Sequence, residues 1–396
     1  MPCGQGNLPT CLEAASRPSH RPGFGLVGHR VAMLLRCCLA LLAIGSTASA
    51  PPAPPFTFNI DQTVPCPHGS TDYSIAAPLA DPTASVLQAA LVDVPAMLQA
   101  KLKELHCPGI AVVVTQGGRV IHEAYAGSAK LHSQAVLNAS TGTEIASITK
   151  TFTATMLFML RDAGKLGPLG LDTPVSHLMP EFSIRSPYPS GRGVTLRSLV
   201  MHVSGLPREI PRGTTESEIL EAISELTVLS PQFAQAHYSN LGLALLGRAL
   251  QRAANTTWED FVATEILLPL GMRDSGNPPF KADVLGRMAE GVTGSGELVK
   301  LPTHTTWGSP CGSMHSSPRD MVKWMNFHMD VGTAEDKAVF ATVLDPATRM
   351  EMHSTGFLLG DGLAGVSSSV FETAFIQGRR TASKLGARTR FSKHTG

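Results

Sequence analysis

The 396-residue sequence is poor in aromatic side chains, at 6%, and in charge, at 16%, and its formal net charge is only +1. No basic stripe interleaved with aromatics runs through it. That balance offers no argument for a nucleic-acid partner or for an anionic membrane surface. Cysteine–histidine clusters and C-x-x-C pairs are absent, which excludes a conventional zinc site. So are H-E-x-x-H, a P-loop and G-x-S-x-G, which speaks against a metalloprotease, a nucleotide enzyme and a Ser-His-Asp hydrolase. No cofactor or metal is expected. There is no internal repeat.

The N-terminal fifty residues are unlike the rest. Arg17, Arg21, Arg30 and Arg36 face a single acid, Glu13, and the apolar run Cys37–Ile44 leads into Gly45–Ala50, which ends Ala-Ser-Ala. A basic region, a short apolar core and an Ala-x-Ala ending describe a secretory signal peptide. The run falls short of the roughly 20 residues of a membrane span, and a retained signal anchor is the alternative. Residues 1–50 are therefore read as signal peptide or anchor, with the remainder secreted or held outside the cytosol. Asn138-Ala-Ser140 and Asn255-Thr-Thr257 match the N-glycosylation triplet, in keeping with that route. Of seven cysteines, Cys66, Cys107 and Cys311 lie beyond the leader. An odd number leaves one thiol unpaired or pairing between chains.

Pro51–Pro55 opens a linker that runs to residue 85. Globular patterning begins near Val86, and residues 86–377 are read as one large domain. Apolar residues at Leu87, Leu91, Val94, Leu98, Leu102 and Leu105 predict a helix over Val86–Leu105. Gly109–Val114 reads as a buried strand, turned by Gln116-Gly-Gly118 and answered by Arg119–Ala124. A helix over Thr143–Leu160, stopped by Gly164, follows. Further helices are predicted over Glu216–Leu229, Leu241–Ala254, Trp258–Leu268 and Arg319–His328, and Val339–Met352 is mixed. The last stretch, 378–396, carries Arg379, Arg380, Lys384, Arg388, Arg390 and Lys393 and no acid, so it reads as a basic tail rather than a buried strand.

Three groupings could carry chemistry. Ser147 and Lys150 are three apart, hence on one face of a helix. A serine at a helix start gains from the positive end of the dipole, and a desolvated lysine one turn on can take its proton. Taken alone, the pair also fits an ordinary amphipathic helix with a surface lysine. Tyr238-Ser-Asn240 precedes a helix. The phenol can relay or donate a proton, and the amide can bind a carbonyl or the lysine. A core-edge tyrosine beside an asparagine helix cap is the plainer reading. His394-Thr-Gly396 could form a strand that lends a backbone N–H to an oxyanion hole, or could be chance.

In this order, Ser147-x-x-Lys150, Tyr238-x-Asn240 and His394-Thr-Gly396 resemble the three motifs of the serine beta-lactamase and penicillin-binding-protein superfamily, in its class C-like subgroup. The intervening blocks agree. They are Pro108–Val112, Asp162–Leu166, Leu171–Pro174, Val194–Leu199, His202-Val-Ser-Gly-Leu-Pro207, Tyr238–Gly247, Leu268–Met272 and Gly312–Met321. The resemblance covers about residues 105 to 330. It implies an α/β (α+β) fold, with a mostly antiparallel sheet flanked by helices and a helical region inserted. It also implies that Ser147 attacks a carbonyl to form an acyl-enzyme, with Lys150 and Tyr238 moving the proton. Asn240 would position substrate or lysine, and the Ser147 N–H would form half of an oxyanion hole. The expected partner is a small-molecule or peptide substrate.

The chain departs from the family pattern at Ser309-Pro-Cys-Gly312 and at Pro231-Gln-Phe233, and in the given sequence nothing follows the third motif. The resemblance implies strands beyond it that this sequence lacks, which would leave the hairpin at 109–124 with an uncovered edge. The two functions left open are a serine hydrolase, acting as esterase, amidase or peptidase, and a catalytically weak binding or scaffold protein.

Overall fold

The computed structural model describes residues 85–131, 135–188, 193–292, 297–359, 364–367, 369–376, 379–385 and 390–394. The described residues before 94 belong to one compact unit, and the described residues from 94 onward form a second. Of the first, the helix Ser85–Val92 is described. Residues 1–84, which hold the expected signal segment, nearly all of the expected linker and Cys66, lie outside the described residues. Among the described residues, no helix is long and apolar enough to cross a membrane.

The second unit mixes helices with antiparallel ladders. It begins with α1 (Val94–Leu105), so the helix expected over Val86–Leu105 is broken before Pro95. Proline lacks a backbone N–H donor and belongs in the first turn of a helix, not its middle. Next come β1 (Gly109–Gln116) and β2 (Arg119–Gly127), paired antiparallel. Gly117 and Gly118 close this hairpin with φ of 55° and 83°, the left-handed values that a tight two-residue turn demands. Among the described strands the hairpin is a sheet of its own.

The segment expected as one helix from Thr143 is built in three pieces. Thr143–Glu144 forms β3, paired with β4 (His315–Ser316). Ala146–Ile148 is a 3₁₀ turn, and α2 (Thr149–Asp162) follows. Every residue of α2 from Thr149 to Phe158 is buried. Four are threonines, poor helix formers whose hydroxyls must be satisfied once buried. Thr151 and Thr155 donate back to the carbonyls of Ile148 (2.7 Å) and Thr151 (2.9 Å), and Thr153 reaches the Pro310 carbonyl (2.6 Å). Phe152 stacks on Trp324 with centroids 3.9 Å apart. Full burial of such side chains stabilises by about 1.5–3 kcal/mol each. The main core thus surrounds α2, together with α3 (Leu196–Val200), α4 (Asn240–Ala254) and α5 (Pro318–Met329).

Two other helix expectations are adjusted. The helix starting at Glu216 ends at Ser224, and Ala334–Val343 and Pro346–His353 are two helices where the pattern is mixed.

The larger correction is at the C-terminus. The strands β5 (Thr355–Leu359), β6 (Ala364–Ser367), β7 (Glu372–Ile376), β8 (Arg379–Leu385) and β9 (Arg390–His394) form one antiparallel meander. Within 378–396, read as a basic tail, residues 379–385 and 390–394 supply its last two strands. Backbone ladders need donors and acceptors, not apolar side chains, and each strand here pairs with the one before it.

Candidate active site

Ser147 lies in the 3₁₀ turn, two residues before α2 begins at Thr149. The turn is held from both sides. Ile145, 1% exposed, is rooted in the core and donates its N–H to Met314 (2.9 Å), and the Met314 N–H donates to Thr149 Oγ1 (3.2 Å). Between them Ala146 adopts a left-handed φ of 43°. For a residue with a Cβ this conformation costs about 1–2 kcal/mol, a strain that surrounding structure has to impose.

Lys150 is completely buried. Its three N–H donors are all used: Ser147 Oγ at 3.1 Å, Asn240 Oδ1 at 2.9 Å and the Cys311 carbonyl at 2.6 Å. Burial pulls its pKa down from 10.5 to about 7, with help from the Lys384 and Arg208 cations. Cys311 carries a free thiol, and burial pushes that thiol up, so it stays neutral where Lys150 titrates.

The Tyr238 hydroxyl donates to Ser147 Oγ at 2.6 Å. Three cations surround its ring: Lys150 and Arg208 at 4.9 Å and Lys384 at 5.0 Å from the centroid. Cations favour phenolate, yet burial outweighs them and the phenol is pushed up to about 12. At neutral pH it is a proton donor, not a base.

Asn240 is freed for this work by its neighbour. The helix cap is Ser239, whose hydroxyl accepts from the Gly242 N–H (2.8 Å) and donates to the Pro207 carbonyl (2.6 Å). The asparagine-cap reading is therefore corrected. The Asn240 amide spans from Lys150 to Glu209, donating from Nδ2 to Glu209 Oε2 at 3.0 Å.

His202 supports this arrangement from below. Its Nδ1 accepts the Ser239 N–H (3.1 Å), its carbonyl accepts the His237 N–H (2.7 Å), and its ring lies 4.6 Å from that of Tyr238. Burial and the surrounding cations hold it well below 6.5, so it stays neutral. Gly205, three residues on, has φ of 76°, and a Cβ there would meet the Ser230 carbonyl at 2.1 Å. Only glycine fits that turn.

The structure thus brings Ser147, Lys150, Tyr238 and Asn240 into one hydrogen-bonded group. His394 lies one strand away from it. It ends β9, opposite Thr381, whereas the strand against the Ser147 turn is β8. Thr395 and Gly396 lie outside the described residues. What the sheet delivers is Lys384, 1% exposed, paired with Glu372 Oε1 at 2.8 Å and close to Tyr238. Sequence reasoning did not single out Lys384, His202, Arg208 or Glu209. His202 sits inside a noted block and Arg208-Glu209 directly follows it, whereas Lys384 has only its place in a basic stretch. The two glycosylation candidates are both exposed: Asn138 in a turn where it accepts the Ser140 N–H (2.8 Å), Asn255 as the left-handed end of α4.

A lysine brought near neutrality, a serine hydroxyl within its reach and a neutral phenol on the same oxygen are the parts that serine acyl-transfer chemistry calls for, here set on a mixed α and antiparallel β fold. The Beta-lactamase family profile matches residues 94–375, and the chain belongs to that family of serine hydrolases. Beta-lactamase-like protein 2 of Dictyostelium discoideum is 39% identical over 55% of this chain and 40% of its own length. The D-alanyl-D-alanine-carboxypeptidase/endopeptidase AmpH of Escherichia coli K12 is 29% identical over 56% and 57%. This chain therefore matches well under two thirds of either relative's length. A class C beta-lactamase from Rhodobacter sphaeroides shares the fold, with a TM-score of 0.64 and 21% identity, covering 76% of this chain and 91% of that one.

Proposed function

We propose that the protein is a serine hydrolase that cleaves an ester or amide through an acyl-enzyme on Ser147. The observation that carries this is the pair of contacts on Ser147 Oγ, from Tyr238 at 2.6 Å and from Lys150 at 3.1 Å, with Lys150 brought down to about 7. In the neutral form, the Lys150 amine accepts the serine proton as Oγ attacks the acyl carbon. The leaving oxygen or nitrogen takes a proton back from Tyr238, which Lys150 reprotonates. Water then attacks the acyl-enzyme, and Oγ leaves with a proton. The backbone N–H of Ser147 is one donor to the developing oxyanion. The substrate is a small molecule or a peptide, met outside the cytosol once residues 1–50 are removed or anchored, and Asn138 and Asn255 are glycan acceptors on that route.

The test is treatment of the full chain, produced in a secretory host, with a fluorophosphonate, and location of the adduct by mass spectrometry. Labelling at Ser147 that disappears in Ser147→Ala supports an activated nucleophile. Absence of labelling in folded protein would favour a binding or scaffold role.

A further inference from the structure

We propose that Glu209 is a positioning residue that fixes which end of the Asn240 amide faces Lys150. The inference rests on the reading of Ser147 as nucleophile and Lys150 as its base. An asparagine side chain has a donor end and an acceptor end, nearly equal in shape. A carboxylate only accepts and an ammonium only donates. Set between the two, Asn240 has one orientation that satisfies both, with Oδ1 on Lys150 at 2.9 Å and Nδ2 on Glu209 at 3.0 Å. Turned over, it would present N–H groups to the lysine and its oxygen to the carboxylate, two mismatches at once. Without Glu209 the outer mismatch vanishes, and the contact with Lys150 alone is left to select the orientation.

Glu209 is itself held in place. Its Oε1 accepts from Arg208 Nε at 2.9 Å, and the Arg208 carbonyl accepts the N–H groups of Asn240 (2.7 Å) and Leu241 (3.2 Å). The Arg208 guanidinium lies 4.9 Å from the Tyr238 ring centroid. This dipeptide therefore touches Asn240 and Tyr238 from the outer side, while Lys150 and His202 touch them from within. Both its side chains are about two-thirds exposed, at 64% and 66%, so the pair adds little to folding stability. Its contacts are better explained by what they do to the amide.

Glu209 also bears on charge. The ionisable groups acting on Lys150 are Cys311, Lys384, Arg208 and Glu209. Tyr238 lies against it too, but stays neutral near pH 7, as the Cys311 thiol does. Lys384 and Arg208 are positive, so Glu209 is the negative charge in this set that favours protonated lysine. Removing that charge lowers the pH at which the base form appears.

The experiment follows the rate of fluorophosphonate labelling at Ser147 against pH for the full chain, Glu209→Gln and Glu209→Ala, with Ser147→Ala as blank. Glutamine keeps an acceptor for Asn240 and loses the charge, whereas alanine loses both. Both variants should move the rising limb to lower pH, by about half a unit. Glu209→Ala should also lower the plateau rate about tenfold, through misplacement of the lysine, and Glu209→Gln should lower it less. Profiles of Glu209→Ala that superimpose on wild type would overturn the proposal, as would equal plateau losses in the two variants. A wild-type protein that does not label at all would overturn the nucleophile reading, and this inference with it.

Discussion

On the helical side of the site, Ser147 and Lys150 stand on a turn and a helix whose neighbours are almost all buried, and Lys150 has all its donors in use. On the strand side, Lys384 stands on β8, a strand held by its ladder to β7 and β9 and drawn from the most basic stretch of the chain. One lysine is surrounded by neutral acceptors and loses affinity for its proton. The other is paired with Glu372 at 2.8 Å. The same residue type, buried to nearly the same degree, is given different surroundings by its partners: neutral acceptors in one case, a carboxylate in the other.

That contrast can be broken from its strong end first. Lys150→Ala should lower Ser147 labelling about 10³–10⁴-fold with the fold retained, as judged by thermal melting, since general-base catalysis is worth up to that much. Tyr238→Phe keeps the ring in place between its cations and removes the donor to Oγ. A loss of about 10²–10³ is expected, read as the turnover of a chromogenic ester. Lys384→Met should cost less, about tenfold at pH 7, and should carry a diagnostic sign. The Lys384 cation holds the Lys150 pKa down, so its removal lets that pKa rise and moves the rising limb of the rate to higher pH. A profile that moves to lower pH would contradict the influence of the Lys384 charge on Lys150. The smallest effect is on stability. Ala146→Gly relieves the left-handed φ of 43° but frees the unfolded chain, and a net gain of about 0.5–1 kcal/mol is expected in denaturant unfolding.

The helical side was the legible one. Ser147 and Lys150 share a face because of their spacing, and Tyr238 and Asn240 sit at a helix start that the apolar pattern of Leu241–Ala254 announces. What periodicity could not show was how the serine is presented. Thr143-Glu144 belongs to a two-strand bridge and Ala146 to a strained turn, both imposed by contacts with residues 314–316, far away in sequence. The strand side was nearly opaque. Residues 379–385 and 390–394 lack the alternation of a half-buried strand, and their place in the sheet comes from backbone pairing, of β8 to β7 and of β9 to β8. Lys384 was hidden for the same reason: its meaning depends on Glu372 and Tyr238, which only the fold brings near.

The central claim is that a neutral Lys150 takes the proton from Ser147. The most direct test is the pH dependence of Ser147 acylation in the intact chain. Because burial brings Lys150 from 10.5 down to about 7, its base form gains tenfold per pH unit below that point and saturates above it. The rate should rise with unit slope to about pH 7, then stay level to about pH 9, since the Tyr238 phenol is held up at about 12. A rate that keeps rising to pH 10, as an unperturbed lysine would give, or one with no dependence on pH across this range, would contradict the account.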